Sequence, residues 1–372
     1  MIYLDHAATT PVSRAALEAA WPFLTAEFGN PSSSHELGNR AELALSDARS
    51  KLATFFNCRS SEVTFTSGGT EGDNLAIIGL ALANPRGKHL VSAKTEHQAV
   101  IASLEYLERI HGFEISWLEV DGSGQISPAT LRSAMRNDTA LVSLMLVNNE
   151  TGVIHPIADF AAVAKEFGAL FHTDAVQAAG WLDLDVKALG VDALSISGHK
   201  IGAPKGSGAV FIRGRFAVEP ILHGGGQEAE KRSGTENVAW AVALGRAIAD
   251  LVDPAGESQR VAALAKDFID QVLNKVPDAK LTAAEARRSA NIIGFTFAGK
   301  NGETILLDLE RQGVICSSGS ACAAGRNDPS HVLLAMGFSE DLAQTSVRFS
   351  LGHQTTQAEL DHAVTALVDS VT

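Results

Sequence analysis

Ala140-Leu-Val-Ser-Leu-Met-Leu-Val147 is almost continuously apolar, with Ser143 as its one polar residue. A run of that length and composition reads as a strand covered on both faces, the mark of a parallel sheet held between helices. The segments on either side repeat the theme. Strand-like runs at 63–66, 89–93, 115–118, 169–174 and 191–197 alternate with helical periodicity over about 39–56, 97–110, 129–135 and 157–167. This alternation predicts a mainly parallel sheet with crossover helices, whose ligands gather beyond the C-terminal strand ends. His97, Asn149, Asp174, Ser197 and Lys200 all fall just past such ends. Further on, 209–212 is expected to pair back onto the sheet and a helix covers about 237–251. Asp253-Pro-Ala-Gly256 reads as a linker. Beyond it the order is helix, strand at 291–297, helix at 303–311, a strand-like 314–316 and a strand at 346–351.

With 372 residues, 45% of them hydrophobic and 20% charged, the chain has the composition of an ordinary globular protein. No apolar run approaches the ~20 residues of a membrane span. A net charge of −13 repels phosphate backbones and anionic lipid surfaces, which argues against nucleic acid and membranes as partners. The opening Met1-Ile-Tyr-Leu-Asp-His6 lacks the basic start and apolar core of a signal peptide, so a cytoplasmic location is expected. The three cysteines, Cys58, Cys316 and Cys322, contain no Cys-x-x-Cys pair, against both a disulfide framework and a structural metal site.

Four stretches carry chemistry. Ala193-Leu-Ser-Ile-Ser-Gly-His-Lys200 runs a strand into small polar groups and a lysine. Read alone, Lys200 is either a solvated loop cation or a partly desolvated amine able to form a Schiff base. Ser67-Gly-Gly-Thr-Glu71 leads from strand to helix, and is either a plain tight turn or a cradle in which free amides hold a phosphate. Ser317-Ser-Gly-Ser-Ala-Cys-Ala-Ala-Gly325 has little to bury and is expected to move easily, which favours a reactive thiol at Cys322, whereas Cys58 and Cys316 read as small buried residues. Arg348, in the strand at 346–351, presents a planar fork suited to a carboxylate or to a structural ion pair.

Tyr3-Leu-Asp-His-Ala-Ala-Thr-Thr-Pro11, Gly29-Asn-Pro31, Thr66-Ser-Gly-Gly-Thr-Glu71, Thr95-Glu-His97, Val147-Asn-Asn-Glu150, His172-Thr-Asp-Ala-Val-Gln177, Ser197-Gly-His-Lys200, Arg232-Ser-Gly-Thr235 and Ser317–Cys322 together resemble the signature stretches of cysteine desulfurases. These are pyridoxal-phosphate enzymes of the class V aminotransferase group. The resemblance implies the fold type I architecture: a large domain, 16–252, with a mainly parallel seven-stranded sheet flanked by helices, and a smaller α/β domain from 1–15 and 253–372. It implies that Lys200 carries pyridoxal 5'-phosphate, that His97 stacks on the ring, that Asp174 pairs with the ring nitrogen and that Gln177 faces the ring hydroxyl. Gly69, Thr70, Ser197 and His199 would hold the phosphate, with Thr235 reaching across from a second subunit of a homodimer. Asn149 and Arg348 would meet the carboxylate of L-cysteine, and Cys322 would take the sulfur as a persulfide, releasing alanine. The longer loop around Cys322 looks like the branch that serves iron-sulfur assembly, so a scaffold is the expected acceptor and the persulfide would contact a cluster only transiently.

Some positions depart from the common pattern, with Gly69 where alanine is frequent, His6 where asparagine or tyrosine is, and Gly202-Ala203 where a bulkier residue precedes glycine. The sequence ends at Thr372 without the tail by which some relatives dock a scaffold, which leaves that partner open. Rival readings are a selenocysteine lyase, a class V transaminase, and a non-catalytic sulfur-trafficking subunit.

Overall fold

The strands at 139–143, 170–174 and 193–197 have every residue buried, and they form the middle of the main sheet. The computed structural model describes residues 1–83, 86–318 and 328–371. Among these, seven strands build the sheet in the order Val63–Thr66, Gly208–Ile212, Ala193–Ser197, Leu170–Asp174, Thr139–Ser143, His89–Ala93 and Glu114–Leu118. Gly208–Ile212 is antiparallel to both neighbours, and the remaining pairs are parallel. The expectation of a mostly parallel sheet between helices holds.

The apolar run 140–147 ends its strand at Ser143 rather than Val147. Leu144 and Leu146 still donate to the carbonyls of His172 and Asp174, so the chain stays joined to one neighbour after leaving the other. Burial, not ladder pairing, keeps residues 144–147 apolar, and Met145 and Val147 end up lining a cavity.

Helix ends follow local chemistry. The side chains of Ser13 and His97 accept from amides of the first turns they cap, and Gly112 closes the helix Gln98–His111 in the left-handed region at φ 66°. The helix expected from 39 begins at Glu36, because the His35 imidazole accepts from Gly38 N. The expected linker at 253–256 is a helix start. Asp253 accepts from Gly256 N and Pro254 takes the first helical position of Pro254–Lys275, where a missing N–H costs nothing.

A second apolar core lies against a three-stranded antiparallel sheet of Ala279–Leu281, Ile292–Phe297 and Val347–Ser350. Phe268, Phe295 and Phe349 meet there edge to face, and Leu4 from the N-terminal segment packs in the same core. Ile2–Tyr3 pairs in parallel with Val314–Ile315.

The loop at 223–237 is tied down by ion pairs: Arg232 Nε meets Glu71 Oε1 at 2.7 Å, and a second pair is more deeply buried. Arg49 meets both oxygens of Glu228 at 2.6 and 2.7 Å, and Glu228 also accepts from Phe65 N. Glu228, Ala229 and Glu230 all sit at positive φ, each costing roughly 1 kcal/mol or more. The pair therefore offsets backbone strain. Arg49→Ala would leave the Glu228 carboxylate buried without its cation and is expected to cost roughly 3 kcal/mol, read as a lower urea midpoint. A loss below about 1 kcal/mol would mean that water replaces the guanidinium.

Candidate functional site

The C-terminal ends of the central strands open into a cavity of ≈ 330 Å³ lined by Gly69, Thr70, His97, Asn149, Asp174, Gln177, Ser197, His199, Lys200 and Arg348, and also by Asp73. The fold thus brings together nearly every residue singled out from the sequence. Two are elsewhere. Thr235 is exposed on its loop and lines a separate hollow with Ser67 and Trp240. Cys322 lies outside the described residues.

Lys200 closes a short 3-10 turn after Ala193–Ser197. Its Nζ donates to the carbonyls of Ala7 and Ala8, the latter at 2.8 Å, and Gln177 Nε2 donates to the same Ala7 carbonyl at 2.9 Å. The N-terminal segment therefore forms one wall of the site. Asp174 ends its strand buried, with Oδ1 accepting from Val176 N at 2.8 Å. Burial raises its pKa, against the pull of His97 and Lys200. A cationic group placed before it would be strongly attracted.

The helix Gly69–Ala83 starts at the cavity wall. A Cβ at Gly69 would lie 2.6 Å from Val176 Cγ2, so a glycine lets the first turn sit close to Val176. Ser197 and the helix start lie together, as a phosphate needs. Burial, aided by Lys200 and Lys205, lowers the His199 pKa to about 4, so His199 is neutral near pH 7, with Nδ1 3.1 Å from Thr9 Oγ1.

Arg348 is buried, donating to Asn149 O and to Asp5 Oδ1, both at 2.9 Å. The structural ion pair thus exists, yet Arg348 lines the cavity and its Nε has no partner among the described residues.

Sequence reasoning missed three buried carboxyl groups around this cavity: Asp73, Glu96 and Glu150. Burial raises the pKa of each. Asp73 stands four residues after Gly69 on one helix, a spacing that places both on the same face.

The donor set fits pyridoxal phosphate. An amine, a buried carboxylate, an imidazole and a helix start with hydroxyls converge in a cavity of suitable size. A larger cleft of ≈ 900 Å³ shares Lys200 and Gln177 and runs past the stacked Trp181 and His353 rings. It lacks Asp174 and His97, so size alone does not make it the reacting centre.

Residues 2–363 match the aminotransferase class-V family. Cysteine desulfurase IscS of Dictyoglomus turgidum is 45% identical over 98% of this chain and 93% of its own length. Cysteine desulfurase IscS of Methanosarcina thermophila is 43% identical over 100% of this chain and 92% of its own. A solved structure described as a NifS-like protein superposes with a TM-score of 0.91 at 32% identity, covering 99% of this chain and 98% of that one. A structure described as SspA in complex with cysteine gives 0.85 at 34% identity, covering 96% and 100%.

Proposed function

The chain belongs to the aminotransferase class-V family and to its cysteine desulfurases, and on that premise we propose that it converts L-cysteine to L-alanine with pyridoxal 5'-phosphate, leaving the sulfur as a persulfide on Cys322. The observation that carries this reading is the convergence of Lys200, Asp174 and His97 in one cavity at the strand ends. Bound pyridoxal phosphate supplies an electron sink for the pair left when a proton departs the substrate Cα.

The chain's own groups do the rest. Asp174 holds the ring nitrogen in its protonated state by charge. Thr70, Ser197, His199 and the amides from Gly69 onward hold the phosphate, and Gln177 faces the ring hydroxyl. Asn149 and Arg348 orient the substrate carboxylate, with Arg348 Nε, which has no partner among the described residues, as a further donor. Lys200 Nζ takes the Cα proton, and the His97 imidazole shuttles protons beside it. The Cys322 thiolate attacks the substrate sulfur. A new S–S bond forms, the substrate C–S bond breaks, and its electron pair stays on Cβ, where protonation gives the methyl group; return of a proton to Cα from Lys200 Nζ completes alanine.

The reading includes a cytoplasmic homodimer in which Thr235 reaches the phosphate in a second subunit, and an acceptor protein such as an iron-sulfur scaffold. The exposure of Thr235 away from its own cavity supports the first part. So do the exposed apolar residues Leu17, Trp21 and Leu24 on the helix Arg14–Thr25, of which Trp21 is 61% exposed.

Mass spectrometry after brief incubation with L-cysteine, with alanine quantified in the same sample, tests the proposal. A sulfur adduct on Cys322 matched by alanine is expected. Cofactor uptake with neither would move the reading to a transaminase or lyase of another amino acid.

A further inference from the structure

Asp73 projects from Gly69–Ala83 toward the end of Leu170–Asp174, and it is left without a task by the roles above. Asp73 and Asp174 are 1% and 6% exposed, and with His97 they offer polar atoms that all lie within 4.8 Å of one another. Asp73 Oδ1 has no hydrogen-bond partner among the described residues. His172 Nε2, on a ring able to become cationic, is 3.6 Å from Asp73 Oδ1. That imidazole is engaged instead by two hydroxyls, Ser143 Oγ at 2.9 Å and Ser195 Oγ at 3.1 Å, and burial lowers its pKa to about 3. It stays neutral and gives Asp73 no counter-charge. Behind the pair, Glu96 is equally buried, with Oε1 accepting from Met145 N at 2.8 Å and Oε2 unpartnered among the described residues.

Two carboxylates this close in apolar surroundings cannot both ionise without compensation. Their surroundings decide which one keeps a proton. Asp174 receives the Val176 amide and faces His97 and Lys200. Asp73 has the Ser195 hydroxyl, and the charges acting on it, Asp174 and Glu96, are both acidic. We propose that Asp73 is a positioning residue, a neutral carboxylic acid that keeps the pair's single negative charge on Asp174 and so controls how tightly Asp174 holds the ring nitrogen of the cofactor. This rests on the functional reading above.

As an acid, Asp73 carries a donor toward the buried carboxylate that must stay charged. Asparagine at the same place is also neutral and also donates, whereas leucine has similar bulk and no donor. The two substitutions therefore separate hydrogen bonding from filling of space.

Infrared spectroscopy of the cofactor-free protein at pH 7.5 tests the protonation state directly. A carboxylic-acid carbonyl band that moves in D2O is expected in the parent and in Glu96→Gln, reduced by one component in Asp73→Asn. Titration with pyridoxal phosphate, followed by absorbance, should give Asp73→Asn an affinity within about twofold of the parent and weaken Asp73→Leu by roughly tenfold or more, one pKa unit's worth of interaction. Both variants are compared at equal melting temperature of the cofactor-free protein. If the leucine variant does not fold, the infrared band and the asparagine variant decide. An unchanged acid band in Asp73→Asn overturns the proposal, as does equal weakening by Asn and Leu, or parent-like binding by Leu. Failure of the parent to take up the cofactor, with the band present, overturns the functional reading and the positioning role with it.

Discussion

Lys200→Ala is expected to remove the absorbance of the bound cofactor and to lower alanine formation from L-cysteine by roughly a thousandfold or more, the scale of losing a positioned proton-transfer group. Among the described residues, Lys200 is the one primary amine lining the cavity that contains Asp174 and His97. No other side chain there can take its part. In the structure Nζ is held by the carbonyls of Ala7 and Ala8, so the amine is aimed by the N-terminal segment rather than left to sample many rotamers. Pre-orientation of this kind lowers the entropic cost of reaching a reacting atom. Lys200→Arg provides the sharper comparison, because a guanidinium can still donate to both carbonyls yet does not give up its proton. Arginine should restore the melting temperature lost with alanine and should not restore the absorbance. Alanine release at the parent rate by either variant would remove Lys200 from the chemistry. The loss of two hydrogen bonds should cost on the order of 1 kcal/mol each, so the alanine variant is assayed below its melting range.

The parallel sheet and its working edge were legible because two independent patterns agree. Buried strands leave long apolar runs, and the polar residues that end those runs must lie at the edge where ligands bind. His97, Asn149, Asp174, Ser197 and Lys200 were found that way, and they line one cavity. Other features were not legible, for physical reasons. Asp253-Pro-Ala-Gly256 has the composition of a loop, and only the Asp253 side chain bonding to Gly256 N shows it to be a helix start. The strand at 140–147 was read too long, because the sequence reports burial and is silent on which neighbour each amide meets. Asp73 and Glu96 were missed since an acidic residue on or beside a helix is usually solvated, and what buries them is packing between distant segments. Glu96 accepts from Met145, nearly fifty residues away in the chain. Such partners leave no local trace.

Cys322→Ala is expected to keep the cofactor absorbance of the parent and to form no sulfur adduct, with alanine release down by roughly a hundredfold or more, a modest figure for removing a nucleophile. Two thiols remain in that variant. The chain has three cysteines, so a persulfide formed without Cys322 must sit on Cys58 or Cys316. Burial, with Glu62 beside it, pushes the Cys58 thiol up to about 12. At pH 7.5 such a thiol is ionised to less than about one part in ten thousand. Burial and the Asp5 carboxylate push Cys316 up further still, despite Arg348. Neither lines the cavity of Lys200 and Asp174. On the proposed reading, neither remaining thiol is placed to stand in for Cys322. The double variant Cys58→Ala and Cys316→Ala supplies the converse, and it should retain adduct formation at a rate within about twofold of the parent. A persulfide on Cys316 in the Cys322→Ala protein, or parent-rate alanine release without any adduct, would mean that the sulfur leaves by another route.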